Sequence, residues 1–523
     1  MQQKSRRSGI RCAGMGLVMA AVLLMFVCGT AHAAKTSLMV GFEDVVGTMN
    51  YYQTTARVDI QTAMLIYDPL VERDPKTGNI LPHLVTEWKS LNDTTWEFKL
   101  RPGVKFHNGN PLNAECIRFT IEDRVLDPKQ KSPLLPNWKW VKKVEVVDDL
   151  TFRIITDGPY PLVLQRLNFM FPWDPKWTKE MVAKNGEEYL SSNAMGVGPF
   201  KFVRFVKGER IELVRNENYW KKGWPKLEKI TIRFIPEMST RLAELMAGGV
   251  DVAHAILPDQ IPTLETNKQL KVVEVPILRF FFWMFDGDGR AGEKSVPLKD
   301  VRVRRAIYHA IDREAIIKNV VNNHADLCNI PMNPLQFGAD TSIKGLEYNP
   351  EKAKALLKEA GYEKGFTLSL WAILALYKQV DEAAAGYLEK VGIKADIKDY
   401  VGRWPEAATL MTAGKLDGAL TTSWGMFSLF DPDGFWPLFF LTPEGPYLFN
   451  TDPELMDWIR QSRQTLDQEK RKELYKKAQN RIIDRVYMMP WFTERALHGA
   501  NKSFIYDLGS DEIPRYQYGH WAD

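Results

Sequence analysis

Apolar and polar residues alternate in several short runs of the first half of this chain, and that alternation predicts strands with one face on a core. Residues 38–42 form a short apolar strand, and 60–71 has helical spacing as far as Asp68-Pro69. Trp96, Phe98 and Leu100 alternate with Glu97, Lys99 and Arg101, and Pro102-Gly103 supplies the turn that follows. The alternation resumes over 104–107, where Asn108-Gly109 predicts a hairpin. Residues 113–124 read as a helix with Asn113 as N-cap and Glu115 in its first turn. Strands 144–147 and 151–155 pair across Asp148-Asp149, strands 201–205 and 209–214 pair across Lys207-Gly208, and 230–235 is one more strand. Helical spacing then takes over at 239–247, 301–311, 350–360, 379–391, 405–413 and 453–483, the last divided into two helices, with strands at 367–371 and 394–398. A strand-rich first third followed by helix–strand alternation predicts α+β and α/β lobes in one chain. No period of 20–50 residues repeats, which argues against a solenoid.

The first 33 residues stand outside this pattern. Lys4, Arg6, Arg7 and Arg11 precede an apolar run over 15–27, and Ala31-His32-Ala33 offers small side chains two apart. This is the layout of a secretory signal peptide over 1–33, and the run is shorter than the roughly 20 residues of a spanning helix. Phe26 and Val27 are bulky for a lipidation signal at Cys28, and Gly9 and Ile10 after Arg6-Arg7 are small for a twin-arginine signal, so ordinary secretion to the periplasm is expected.

Cleavage there takes four basic groups from the 69 Lys and Arg, so the exported chain balances the 65 Asp and Glu. A balanced chain has no surplus of cations for nucleic acid or an anionic membrane face. Its length exceeds the ~250–300 residues at which one core stops growing, which implies two or three lobes. Only Cys116 and Cys328 remain after cleavage, without CxxC spacing. A disulfide between them and two separate buried thiols are both open, the second being the simpler.

Catalytic signatures are sparse. The chain has no GxSxG, HExxH or P-loop motif. Gly287, Gly289 and Gly292 make a GxGxxG after an apolar strand, but 293–297 reads as loop where a dinucleotide site needs a helix. The same stretch mimics a calcium loop, yet Pro297 occupies the position of its final carboxylate. The histidines are scattered without an i, i+4 pair, so neither a metal nor a cofactor is expected. Asp431 and Asp433 leave a secreted hydrolase as the alternative from another class.

Several segments together resemble the periplasmic oligopeptide-, dipeptide- and nickel-type (family 5) solute-binding proteins of ABC importers. The most specific runs from Leu81-Pro82-His83-Leu84 through Arg101-Pro102-Gly103 to Phe106-His107-Asn108-Gly109 and Ala114-Glu115. Gly196-Val197-Gly198-Pro199-Phe200, Arg215-Asn216 with Tyr219-Trp220, Gly248-Gly249-Val250-Asp251, Val301-Arg302-Val303-Arg304-Arg305-Ala306 and Tyr348-Asn349-Pro350 extend the likeness. The resemblance implies a three-lobed type II clamshell: lobe I over 34–75, 196–283 and 493–523, an inserted lobe II over 76–195, and lobe III over 284–492. It further implies a monomeric, non-enzymatic receptor that closes on a small solute and passes it to a membrane permease.

The implied ligand site draws on Asn50, Tyr51 and Tyr52 after the first strand, and on Arg403, Trp404, Trp424, Gly425, Ser428, Asp431 and Trp436 in the later half. In peptide-binding relatives an acid upstream of an Asp-Pro holds the ligand's amino group. Here Asp431-Pro432 is present but that acid is missing, with Ser428 or its neighbours in its place. The loss of a charge-assisted hydrogen bond, worth roughly 1.5–3 kcal/mol, counts against a plain di- or tripeptide unless Asp431 or Asp433 substitutes. An oligosaccharide, an opine or another amino-acid conjugate is the alternative. Flat indoles suit stacking on a ring, and Arg403 suits a ligand carboxylate.

Overall fold

The computed structural model describes residues 35–425, 429–441 and 447–522 of the 523-residue chain, so the signal peptide expected over 1–33 and Ser428 lie outside the described residues. One large mixed sheet runs through two halves of the molecule. Its strands lie in the order Ile393–Asp399, Phe366–Ala372, Ala419–Trp424, Leu270–Phe285, Met488–Asn501, Val252–Ala253, Ser37–Phe42, Lys229–Phe234, Arg210–Arg215 and Phe200–Val206, with Ala325–Leu327 added on Met488–Asn501. The two long central strands pair antiparallel with each other and serve both halves. Phe280–Phe285 carries Ala419–Trp424 on its other side, while Ala500 and Gly499 carry Val252–Ala253. A separate antiparallel sheet orders Val85–Asn92, Thr95–Leu100, Thr151–Thr156 and Val141–Val146.

The run from Phe280 to Phe285 shows why the second half needs a sheet covered on both faces. Successive side chains leave opposite faces of a strand. Phe281, Trp283 and Phe285 join one core with Tyr377 and Trp491, whereas Phe280, Phe282 and Met284 join another with Trp436 and Phe439. The first half has its own core, in which Leu38, Val40 and Phe42 pack with Phe98, Phe152 and Phe171.

Most expected elements are present, with three instructive departures. The helix expected over 60–71 is Arg57–Ile66, stopping before Asp68-Pro69, where proline disfavours helical geometry in the residue before it. The strand expected over 104–107 is only a single bridge between Lys105 and Pro111. Long-range bonds take the place of a ladder: His107 N donates to Gly196 O at 2.9 Å, and the Asn108 and Asn110 amides donate to Asp174 at 2.8 and 2.7 Å. Asn113 does cap its helix, accepting from Cys116 N, but the helix widens into a π-helix over Phe119–Leu126. Cys116 and Cys328 are free, buried thiols.

Candidate functional site

The pairing of the two central strands shifts register at two places, between Pro276 and Phe280 and between Phe281 and Phe282, and the first is the wider break. Pro276 faces Arg495 and Phe280 faces Thr493, so Ile277, Leu278 and Arg279 together oppose the single residue Glu494. Such a bulge bends a strand and redirects its side chains. This one is held from three sides. Leu278 N donates to Ser510 O at 2.9 Å, the Asn333 amide donates to Ile277 O at 2.8 Å, and Gly425 packs so tightly that a Cβ there would lie 2.0 Å from Leu278 O.

The bulge points Arg279, the lone charge of an apolar stretch, into an ionic network at the seam between the halves. Its Nε donates to Glu512 at 3.0 Å, and Arg57 Nη1 reaches the same carboxylate at 2.9 Å. Arg57 also pairs with Glu43, whose second oxygen lies 3.4 Å from His254 Nδ1. Glu512 has a φ of 63°, a left-handed backbone that few non-glycine residues adopt, and it aims this carboxylate between the two guanidiniums. Burial works against charge on Arg279, but Glu512 and Glu494 outweigh it and raise its pKa. Burial likewise opposes the Glu43 charge, and Arg57 overcomes it, holding that carboxyl well below the usual range. His254 stacks on His498 at 4.1 Å, and burial lowers the pKa of both imidazoles.

On the other side of the bulge, Tyr377 Oη lies 2.6 Å from Glu494 Oε1 and also within hydrogen-bond distance of Ser423 Oγ. A phenol has one proton, and a carboxylate only accepts, so Tyr377 donates to Glu494 while Ser423 donates to Tyr377. Next to Ser423, Trp424 is half-buried and sits in an aromatic group, 6.1 Å from Trp404, 5.4 Å from Phe439 and 6.4 Å from Tyr447 between ring centroids.

The structure divides the site residues expected from sequence into three groups. Trp404, Trp424 and Gly425 meet at the seam, Trp424 pairing with Phe280 at the edge of the bulge. Arg403 lies exposed beside them, with its guanidinium over Tyr400 at 4.3 Å and 3.4 Å from Glu406. The remaining described ones have their polar groups engaged inside the fold. Tyr51 and Tyr52 donate to the carbonyls of Phe169 and Phe171, the Asn50 side chain accepts from Tyr52 N, and the buried Trp436 indole donates to Pro331 O at 3.0 Å. Asp431 is held by Arg471 at 2.8 Å and Tyr475 at 2.6 Å, and Asp433 by Arg463 at 2.7 Å. Sequence reasoning missed Arg57, Arg279, Tyr377, Glu494 and Glu512. A lone arginine within the apolar run 277–285 was the available signal, since a charge in a central strand has to be paired.

The GxGxxG stretch is a loop closed on itself. Asp286 accepts from the backbone N–H groups of Arg290 and Ala291 at 3.2 and 3.1 Å, so a carboxylate already fills the place an anion would take. Among the described residues, no group of three His, Cys, Asp or Glu side chains could hold a metal ion, and no helix is long and apolar enough to cross a membrane. Two concavities of about 400 Å³ lie away from the seam, one beside His107 and Tyr219 and one beside Arg305 and Arg485.

The family described as bacterial extracellular solute-binding proteins, family 5 Middle, matches residues 79–446. The chain belongs to this family. Among curated family members, the glutathione-binding protein GsiB of Pectobacterium atrosepticum is 28% identical over 503 residues, covering 93% of this chain and 94% of its own length. The heme-binding protein A of Haemophilus influenzae is 29% identical over 382 residues, 68% of each chain. Among solved structures, the ABC transporter substrate-binding protein CtaP of Listeria monocytogenes superposes with a TM-score of 0.83 at 23% identity, covering 94% of this chain and 100% of that one. The family-5 chain therefore has the type II clamshell fold, and its two halves joined by long shared strands are the shells.

Proposed function

We propose that this solute-binding protein captures a small organic solute between its two halves outside the cytoplasm and delivers it, chemically unchanged, to the permease of an ABC importer. One observation carries the reading: the two strands shared by the halves break register at 277–279, and that break gathers partly exposed ionic and aromatic side chains at the seam. Hinged halves with such groups between them can be biased toward closure by a ligand that touches both. The hinge of this reading lies at 277–279 and 493–495, a few residues before the 283 boundary expected for lobe I, because Phe280–Phe285 packs in the cores of the second half.

The solute is a polar organic molecule with a charged head and a part that lies on an aromatic face. Trp404, Trp424 and Tyr447 offer that face. The GsiB relative is named for glutathione, an amino-acid conjugate, and this agrees with the expectation that plain peptides are disfavoured. Hydrolysis by Asp431 and Asp433 has no support in the geometry, because both carboxylates are buried and tied to arginines within the chain.

Native mass spectrometry of the exported protein tests the proposal. A noncovalently bound small molecule, released intact on denaturation, is the expected result. Steady conversion of added peptides or glycosides into products would refute it.

A further inference from the structure

We infer that Arg279 and Glu494 together hold the zwitterionic α-amino-acid head of the solute, its ammonium on Glu494 and its carboxylate on Arg279. The inference rests on the receptor reading above and adds a substrate class to it. Arg279 Nη1 and Glu494 Oε2 face each other across 3.8 Å, too long for a hydrogen bond. Among the described residues each atom lacks any shorter polar partner, since Arg279 directs its Nε and Nη2 at Glu512 and Glu494 receives Tyr377 on Oε1. Both side chains are partly exposed, at 20% and 14%, directly opposite each other at the bulge.

A guanidinium edge with free donors and a carboxylate oxygen with free acceptor capacity form a two-point site. A carboxylate takes one point and an ammonium the other, and an α-amino acid carries both on neighbouring atoms of one carbon. The surroundings hold each group in place. Glu512 fixes the far edge of Arg279, and the Ser423–Tyr377 hydroxyl chain fixes Glu494. Glu43, Glu494 and Glu512 against Arg57 and Arg279 leave the network one negative charge in excess, which favours a cationic group at Glu494. A peptide with ordinary linkages separates its ammonium and carboxylate along the chain and satisfies one point only. A conjugate joined through an amino-acid side chain keeps the whole head free. Trp424, next to Ser423, then meets the body of the molecule.

Three probes separate these possibilities by titration of the exported protein, followed by calorimetry or tryptophan fluorescence: glutathione, whose γ-linkage leaves the head free; the α-linked isomer of the same three residues; and N-acetylglutathione. Glutathione is expected to bind at least about tenfold tighter than either of the others, the size of one lost charge-assisted hydrogen bond. Glu494→Gln should abolish the preference over N-acetylglutathione, and Arg279→Lys, which keeps the charge facing Glu512, should reduce the preference over the α-linked isomer. Thermal unfolding of both variants checks that the fold is intact, and Glu494→Asp should restore part of the discrimination. Equal binding of the three probes, or an undiminished preference in folded Glu494→Gln, overturns the inference while the receptor reading stands. Capture of a solute that lacks an α-amino-acid head, with all three probes refused, overturns it in the same way. A protein that holds no solute of any kind sinks both.

Discussion

The ring of Phe430 lies on the guanidinium of Arg73, with the cationic carbon 4.4 Å from the ring centroid. The contact joins the two shells. Phe430 reaches it with a φ of 53°, while its carbonyl accepts from Phe337 N at 2.7 Å within the second shell. Arg73 is fixed on the first shell by Gly78 O and Gln165. A desolvated cation–π pair is worth on the order of 1–2 kcal/mol, comparable to the cost of the left-handed residue that presents the ring.

Gly78 has no room for a side chain beneath that ring. A Cβ would lie 2.8 Å from Phe430, at a φ of 73°. Gly78→Ala is expected to lower stability by about 1–3 kcal/mol in denaturant unfolding. Combined with Phe430→Ala the cost should be clearly less than additive, because the clash disappears with the ring. Strict additivity would show that the ring can already move aside.

Gly425→Ala should be the more damaging change, since its Cβ would meet the fixed backbone oxygen of Leu278 at 2.0 Å. A loss of more than about 2 kcal/mol is expected in chemical unfolding, together with weakened solute binding because the bulge has to shift. A midpoint indistinguishable from the parent protein would mean that the bulge is pliant.

Asp431→Asn should cost about 3 kcal/mol of stability and leave solute affinity unchanged in the protein that remains folded. Arg471 is almost wholly buried on this carboxylate, and removing one partner of a buried pair leaves a charge uncompensated. Selective loss of affinity at unaltered thermal midpoint would return Asp431 to the ligand site.

Stability should also depend on pH through His83. Burial disfavours its charge, but Asp68 at 3.2 Å and Glu72 at 3.3 Å outweigh this and raise its pKa to about 9. Glu72 is half-buried, which disfavours its charge, but the His83 hydrogen bond and charge carry its pKa down to about 2. A raised histidine stabilises fully below its unfolded value of about 6.5 and loses that contribution as pH rises through 9; a depressed glutamate stabilises above about 4.5 and loses it as pH falls toward 2. The pair therefore contributes most between about pH 4.5 and 6.5. His83→Gln should flatten the decline in thermal midpoint between pH 6.5 and 9, and an unchanged slope would count against the ion pair.

Trp424→Ala is expected to weaken solute binding roughly tenfold or more while lowering the thermal midpoint only modestly, as its ring is half-buried among Trp404, Phe439 and Tyr447. A large drop in midpoint with intact affinity would make the ring part of the core.

Alternation made the outer strands and amphipathic helices readable, because each has one wet face. It could not reveal Ala419–Trp424 or Met488–Asn501, whose first four and first six residues respectively are all buried, because cover on both faces removes the alternation. The site suffered from the same limitation in another form. Trp424 and Trp404 stood out by residue type, but Glu494, Glu512 and Arg57 acquire meaning only from Arg279, more than 200 positions away from each of them in the chain. Arg57 reaches Arg279 only through the shared Glu512 carboxylate. Tyr51, Tyr52 and Trp436 were conspicuous aromatics whose hydroxyls and indole turned out to brace the interior.

The connection between the shells consists of two ribbons laced to each other by their own hydrogen bonds on either side of Ile277–Arg279. Sliding one shell past the other would tear that lacing, whereas flexing and twisting leave it whole. The molecule is thus confined to something like the swing of a door on a leaf spring, and any cargo that triggers the swing must press on the few atoms lying along its fold line.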